Sequence, residues 1–393
     1  MAALPERFSG LTDYAFPRLR ALLDAHAPGG PVLSMSIGEP THPIPPFVAE
    51  AIAENVAGFG PYPPNEGTPE LLSAISAWIA RRFGAAVPPD RLLPLNGSRE
   101  GFLAAALALV PESKGGGRPA VLLPNPFYGA YLAGALAAGA EPVLVPATEA
   151  TGFLPDFAGL PRDVLARAAL AIVSSPSNPQ GAVAPRAWWA DLLGLAERHD
   201  FRVVADECYS EIWRDEPPVG ALAVAEATGA DPERLLAVNS LSKRSSLAGL
   251  RSGFVAGGAR AIAELRRLRA WAGAPLPLPL QRVATRAWAD EAHVEASRAL
   301  YQAKHRVADE VLGGMEGFRA PPAGFFLWLP VADGEAAALR LWREAGLRVL
   351  PGAYLGRDAG GGNPGAGFIR VALVAGVDEV RDGLRRLRET LED

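Results

Sequence analysis

Seven short apolar runs recur through the middle of the chain: Leu92 to Leu95, Ala120 to Pro124, Pro142 to Val145, Ala169 to Ser174, Phe201 to Asp206, Leu235 to Asn239 and Gly253 to Gly257. Each has the length of a strand, and several are rich in valine or isoleucine. Between them lie segments with helical periodicity, such as Gly101 to Leu109, Tyr128 to Ala137 and Trp188 to Arg198. Such alternation predicts an α/β fold with a mostly parallel seven-stranded sheet, covered by helices on both faces. Upstream, Leu71, Leu72, Ile75, Trp78, Ile79 and Phe83 share one helical face, with Arg81 and Arg82 off it.

The pattern changes near Gly273 to Gln281. Ala-Pro-Leu-Pro-Leu-Pro-Leu cannot continue a helix. Beyond it the spacing predicts one long helix over Gln281 to Gly313, a strand over Gly324 to Leu329, a helix around Glu335 to Ala345, and short strands at Arg348 to Leu350 and Phe368 to Leu373. These elements form a smaller α+β domain. The expected organisation is an N-terminal arm with part of the small domain (1–45), a large domain (46–275) and a small C-terminal domain (276–393). The glycine-dense stretch Gly356 to Gly367 reads as a mobile loop.

Composition narrows the function classes. The 393 residues are 49% hydrophobic and 21% charged, which supports a large core. A net charge of −5 argues against nucleic acid as the main partner. Cys208 is the sole cysteine, so no intrachain disulfide or cysteine-based metal cluster can form, and no metal is expected. The N-terminal sequence lacks the basic flank and apolar core of a secretory signal. Every long apolar stretch is broken by proline, glycine or charge, so no membrane span is expected. The expected location is the cytoplasm.

Chemistry concentrates in motifs that follow the predicted strands. Lys243 lies in Asn239-Ser240-Leu241-Ser242-Lys243-Arg244-Ser245-Ser246, with Arg251 downstream. Desolvation or neighbouring cations lower a lysine pKa and make its amine a nucleophile, and hydroxyls with an arginine can hold a phosphate beside it. An isolated lysine in a serine-rich loop would otherwise read as a solvated surface residue. Asn96-Gly97-Ser98-Arg99-Glu100-Gly101 opens a helix, where backbone N–H groups favour a phosphate. Pro124-Asn125-Pro126-Phe127-Tyr128 offers an aromatic ring that could stack on a planar group or fill a core. Asn178 sits between Pro176 and Pro179 after a strand, where ligands bind in open α/β sheets. Asp206 ends an apolar run, and a buried carboxylate needs a partner or a capping role. Tyr209 follows three residues later. Arg370 interrupts the apolar run Phe368 to Leu373, and its guanidinium matches a carboxylate bidentately, of a substrate or of a salt bridge.

Taken together, these motifs resemble the class I/II aminotransferases, enzymes of fold type I that use pyridoxal phosphate (PLP). The resemblance runs from about Val32 to Leu373. It implies that Lys243 carries the cofactor and shuttles the proton, Asp206 pairs with the pyridine nitrogen, and Asn178 and Tyr209 contact the 3′-oxygen. Tyr128 would stack on the ring. Ser98 and Arg99 (through their backbone), Ser240 and Arg251 would hold the phosphate. Arg370 would bind the substrate α-carboxylate, with Gly38 nearby. Tyr62 is similar to a tyrosine that reaches the neighbouring subunit's phosphate, which implies a homodimer. Within the family the motifs are most similar to the N-succinyldiaminopimelate aminotransferase group. That implies amino transfer between N-succinyl-LL-2,6-diaminopimelate and 2-oxoglutarate, in lysine and diaminopimelate synthesis. Ser245-Ser246-Leu247-Ala248 departs from the group's pattern, which has Ser-Asn and a proline there. Arg99 and Arg244 are candidates for the distal end of the substrate, or ordinary ion-pair arginines. Alternatives are an aminotransferase for aspartate, alanine or aromatic amino acids, a PLP-dependent carbon–sulfur lyase, or a non-enzymatic regulator built on the same fold.

Overall fold

The computed structural model describes residues 6–11 and 13–392. Met1 to Pro5, part of the segment read for a secretory signal, lie outside the described residues. The strand β1 (Leu33–Ser34) belongs with the C-terminal elements. The seven apolar runs form β2 (Leu92–Leu95), β3 (Ala120–Asn125), β4 (Glu141–Pro146), β5 (Ala168–Ser174), β6 (Arg202–Asp206), β7 (Leu235–Ser240) and β8 (Gly253–Gly257). They make one sheet, ordered β2-β8-β7-β6-β5-β3-β4. All pairings are parallel except those of β8, which runs antiparallel to both neighbours.

Both faces of this sheet are buried, which explains the unbroken apolar runs. Val203 and Ala205 face one core with Trp78 and Trp189, whereas Val204 faces the other with Phe102 and Tyr131. The amphipathic helix Pro69–Phe83 begins at Thr68, whose side chain accepts the Leu71 N–H, and ends at Gly84 in the left-handed conformation. Its buried residues are Leu71, Ile75, Trp78 and Ile79.

The smaller sheet contains β9 (Phe326–Pro330), β11 (Leu350–Pro351) and β12 (Phe368–Ala372), with β12 central and antiparallel to both. Between them in sequence, β10 (Leu347–Arg348) pairs with β1. This unit has its own core, including Tyr301, Phe325, Leu341 and Ile369.

The structure corrects the helix expected over Gln281 to Gly313. Two helices occupy this stretch, Leu278–Ala289 and Ala292–Leu312. Asp290 between them is extended, and its carboxylate accepts the His293 N–H, capping the second helix. The first helix packs Val283, Ala287 and Trp288 into the large-sheet core; the second packs Tyr301 and Val307 into the small one. The glycine-dense segment is also tied down. The side chain of Asn125, at the end of β3, exchanges two hydrogen bonds with the Arg357 backbone (2.8 and 3.0 Å), and Asn363 donates to the Ala353 carbonyl.

Candidate active site

The carboxyl ends of β2, β3, β5, β6 and β7 lie along one edge of the large sheet, together with the amino end of the reversed β8. The motif residues Ser98, Tyr128, Asn178, Asp206, Ser240 and Arg251 all follow or end these strands, or precede β8. That edge is where open α/β sheets bind ligands. The small sheet contributes Arg370.

Asp206 closes the inner end. It is 5% exposed. The Tyr131 hydroxyl donates to its Oδ2 at 2.5 Å, and the Cys208 N–H donates to Oδ1 at 3.1 Å. Burial raises its carboxyl above the usual range, against these two donors. Burial likewise pushes the Cys208 thiol well up, which makes it a neutral filler. Tyr128 stands edge-on to Tyr131 at 5.6 Å and to Phe102 at 6.4 Å, and its hydroxyl accepts from Arg99 Nε at 2.9 Å.

Lys243 lies on the short helix Leu241–Arg244. Its Nζ donates to the Gly38 carbonyl at 2.5 Å and lies 5.5 Å from the Phe325 ring centre. Burial lowers its ammonium from 10.5 to about 8, assisted by the positive charges of Arg370 and Arg251. Gly38 is necessary for this approach, because a Cβ there would fall 2.4 Å from the Phe326 ring.

An anion cradle lies beside the lysine. Gly97, with φ of 83°, precedes the helix Ser98–Leu109, whose first N–H groups have no partner within the helix. A Cβ at Gly97 would lie 2.3 Å from the Arg251 guanidinium. Arg251 donates to the Ala248 carbonyl at 2.9 Å. The buried Ser240 hydroxyl accepts the Ser242 N–H at 3.1 Å. Ser252 Oγ is buried without a hydrogen-bond partner among the described residues.

Arg370 forms the opposite end. It is 4% exposed and stacks 4.1 Å from the Phe326 ring centre. It donates to Asn178 Oδ1 at 2.9 Å and to the Ser36 carbonyl at 2.6 Å, while its Nε has no protein partner. Burial lowers its pKa to about 10. Tyr209 packs its ring against Phe325 and Phe326, and burial holds its phenol protonated.

Two expected residues stand apart. Tyr62 is fully exposed. Arg244 points away from the site, buried between Trp78 and Trp288, so it does not serve the distal end of a substrate. Arg99 is exposed at the mouth. Tyr131 and Ser252 lie within the motifs but carry no expected role. The helical spacing of Tyr131 from Tyr128 is the signal that could have found it.

Comparisons with known proteins show the family and the fold. The aminotransferase class I and II family matches residues 30–387. The chain is 33% identical to LL-diaminopimelate aminotransferase of Dehalococcoides mccartyi, covering 98% of each chain. It is 32% identical to the 4-dedimethylamino-4-oxo-anhydrotetracycline transaminase OxyQ of Streptomyces rimosus, over 92% of this chain and 94% of that one. The crystal structure of an aminotransferase from Neisseria meningitidis superposes with a TM-score of 0.94 at 35% identity, covering 99% of this chain and all of the other.

Proposed function

The chain belongs to the class I and II aminotransferases, enzymes that use pyridoxal phosphate, and we propose that the edge described above is its catalytic site with an amino donor of the diaminopimelate class. The observation that carries the site assignment is Asp206. Its carboxylate is buried, and its hydrogen-bond partners are a phenol and a backbone N–H, so a protonated pyridine nitrogen completes its charge pairing. The unpartnered Ser252 hydroxyl and the close approach of Arg251 to Gly97 fit a phosphate in the same way.

The bound cofactor supplies an electron sink for charge developing at the substrate Cα. The protein's own groups do the rest. Ser98 and Arg99 offer backbone N–H groups, and Ser240 and Arg251 side chains, to the phosphate. Asn178 and Tyr209 would hold the cofactor's 3′-oxygen, and Tyr128 would pack against its ring. Arg370 holds the α-carboxylate beside Gly38, so that the Cα–H bond faces Lys243. Lys243, whose ammonium burial lowers to about 8, takes that proton as a general base in its neutral form and returns it as an acid. Such transfer contributes about 10²–10⁴-fold. Tyr62 reaches the phosphate of a second subunit in a homodimer; Val56, Phe59 and Tyr62 are the exposed apolar residues that support such an interface.

The donor assignment rests on relatives named for LL-diaminopimelate, which match nearly the whole chain. The succinylated donor implied by the motifs differs in its distal end alone, and the OxyQ relative, named for a 4-oxo-anhydrotetracycline, shows how far substrates diverge among relatives of this chain. The test is a half-reaction: PLP-loaded protein is mixed separately with LL-diaminopimelate, its N-succinyl derivative, glutamate, aspartate, alanine and phenylalanine, and the cofactor absorbance is followed. Fast conversion by LL-diaminopimelate and glutamate supports the proposal. Fast conversion by the succinyl derivative over the free acid restores the narrower reading. Conversion by the common amino acids alone discards the diaminopimelate class, and ammonia release without conversion points to a lyase.

A further inference from the structure

Just past Lys243, the stretch that departs from the family pattern is held by a relay with no part in the chemistry above. Ser245 is the C-cap of the lysine helix, its N–H bonded to the Leu241 carbonyl. Its Oγ lies 2.8 Å from His293 Nε2, and His293 Nδ1 lies 2.5 Å from Asp290 Oδ1. Arg244 Nη1 approaches the same Ser245 Oγ at 3.3 Å and donates to the Ala287 carbonyl at 2.5 Å; its Nη2 donates to Glu291 Oε1 at 2.8 Å.

A carboxylate only accepts, so His293 Nδ1 carries its hydrogen toward Asp290. Burial, which lowers the His293 pKa, favours the neutral ring, whose Nε2 then accepts the Ser245 hydroxyl hydrogen. A guanidinium only donates, so Ser245 Oγ accepts from Arg244. The arrangement has the order of an acyl-transfer triad, but Ser245 is 2% exposed and its hydroxyl is occupied on both sides. It attacks nothing.

Its position supplies the role. Asp290 to His293 is the junction where the chain leaves the large-sheet core and enters the helix of the small unit. Ser245 is two residues from Lys243, on a helix of four residues that cannot hold its own orientation. We infer that His293, braced by Asp290, is a positioning residue that acts through Ser245 to set the lysine turn, and so the placement of Lys243 Nζ against the Gly38 carbonyl. Movement at the junction between the two cores is thereby transmitted to the lysine. The inference rests on Lys243 being the cofactor-bearing lysine.

The test uses the PLP-loaded protein with His293→Ala, Ser245→Ala, their double variant and His293→Gln, whose amide can still accept from Ser245. Two quantities are read: the pH midpoint of the cofactor's visible absorbance, which needs no substrate, and the split between kcat and KM. His293→Ala and Ser245→Ala should shift the midpoint and lower kcat by about ten- to a hundredfold, the cost of a small misplacement of a reacting group, with KM nearly constant. The double variant should be no worse than either single one, and His293→Gln should recover most of the loss. If His293→Ala fails to fold, Ser245→Ala tests the same bond by losing one hydroxyl. A parent-like midpoint and kcat in Ser245→Ala, or additive losses in the double variant, overturns the inference. Lys243→Ala separates the two claims: if the pH-dependent band survives there, the lysine assignment itself is wrong.

Discussion

At one end of the proposed site an anion would meet backbone and loop; at the other it would meet a single buried guanidinium. The proposed phosphate end would use the N-terminus of the helix Ser98–Leu109, the hydroxyl of Ser240 and the exposed Arg251, all close in sequence to the ends of β2, β7 and β8. Two of its residues, Gly97 and Arg251, have positive φ. The carboxylate end uses Arg370, held by Asn178 and by the Ser36 carbonyl, residues 192 and 334 positions away. Its guanidinium is already out of water and fixed in direction, so a substrate carboxylate meets a donor that needs no reordering. The phosphate end would share its anion among many weak donors; the carboxylate end would concentrate it on one. Loss of one group should therefore be graded at the first and severe at the second.

The largest effect is expected from Arg370→Ala. Removing one partner of a buried charge pair costs about 2–5 kcal/mol. That loss should appear in kcat/KM for every amino donor, while the dissociation constant of PLP stays near the parent value. Arg370→Lys should recover only part, because an ammonium cannot offer a planar fork. Steady-state kinetics beside a cofactor titration checks both. An equal loss of cofactor affinity would erase the contrast between the two ends. Next comes Arg251→Ala. A hydrogen bond to a charged group contributes about 1.5–3 kcal/mol, less where solvent screens it. Cofactor affinity of the apoprotein should weaken accordingly, more at low salt than at high, with kcat largely kept at saturating PLP. Salt-independent weakening would mean that Arg251 acts by packing against Gly97.

The same contrast explains what the sequence makes legible. Strands buried on both faces leave unbroken apolar runs, so all seven could be read in order. The strand-end motifs lie beside them, so the edge that gathers Ser98, Asp206, Ser240 and Lys243 could be read too. Pairings made by tertiary structure could not. Nothing local says that Arg370 meets Asn178, or that the Tyr131 hydroxyl, on a helix of otherwise aliphatic residues and glycines, reaches Asp206. The long helix expected after Gln281 failed for a related reason. Its apolar periodicity persists across Asp290, although the two halves serve different cores and the break depends on one carboxylate capping His293. Tyr62 is the opposite case: it is fully exposed in this chain, and the role proposed for it lies in a second copy.

The smallest and most specific effect is expected inside, at Tyr131. Its hydroxyl stabilises the charged form of Asp206, against the burial that raises that carboxyl above its ordinary 3.8. Tyr131→Phe removes the donor without leaving an orphan of its own, so the Asp206 pKa rises further. Asp206 pairs with a pyridinium only when ionised. The acid limb of the kcat/KM profile should therefore move to higher pH, by about one unit if the bond lies near the weak end for a charged acceptor. Well above that limb, where Asp206 is ionised in both proteins, the profiles should converge. A pH–rate series on the parent and the variant decides it. A uniform drop across all pH, with the limb unmoved, would make Tyr131 a packing residue, and would leave Asp206 to be held in its charged form by the Cys208 N–H, Lys243 and the cofactor alone.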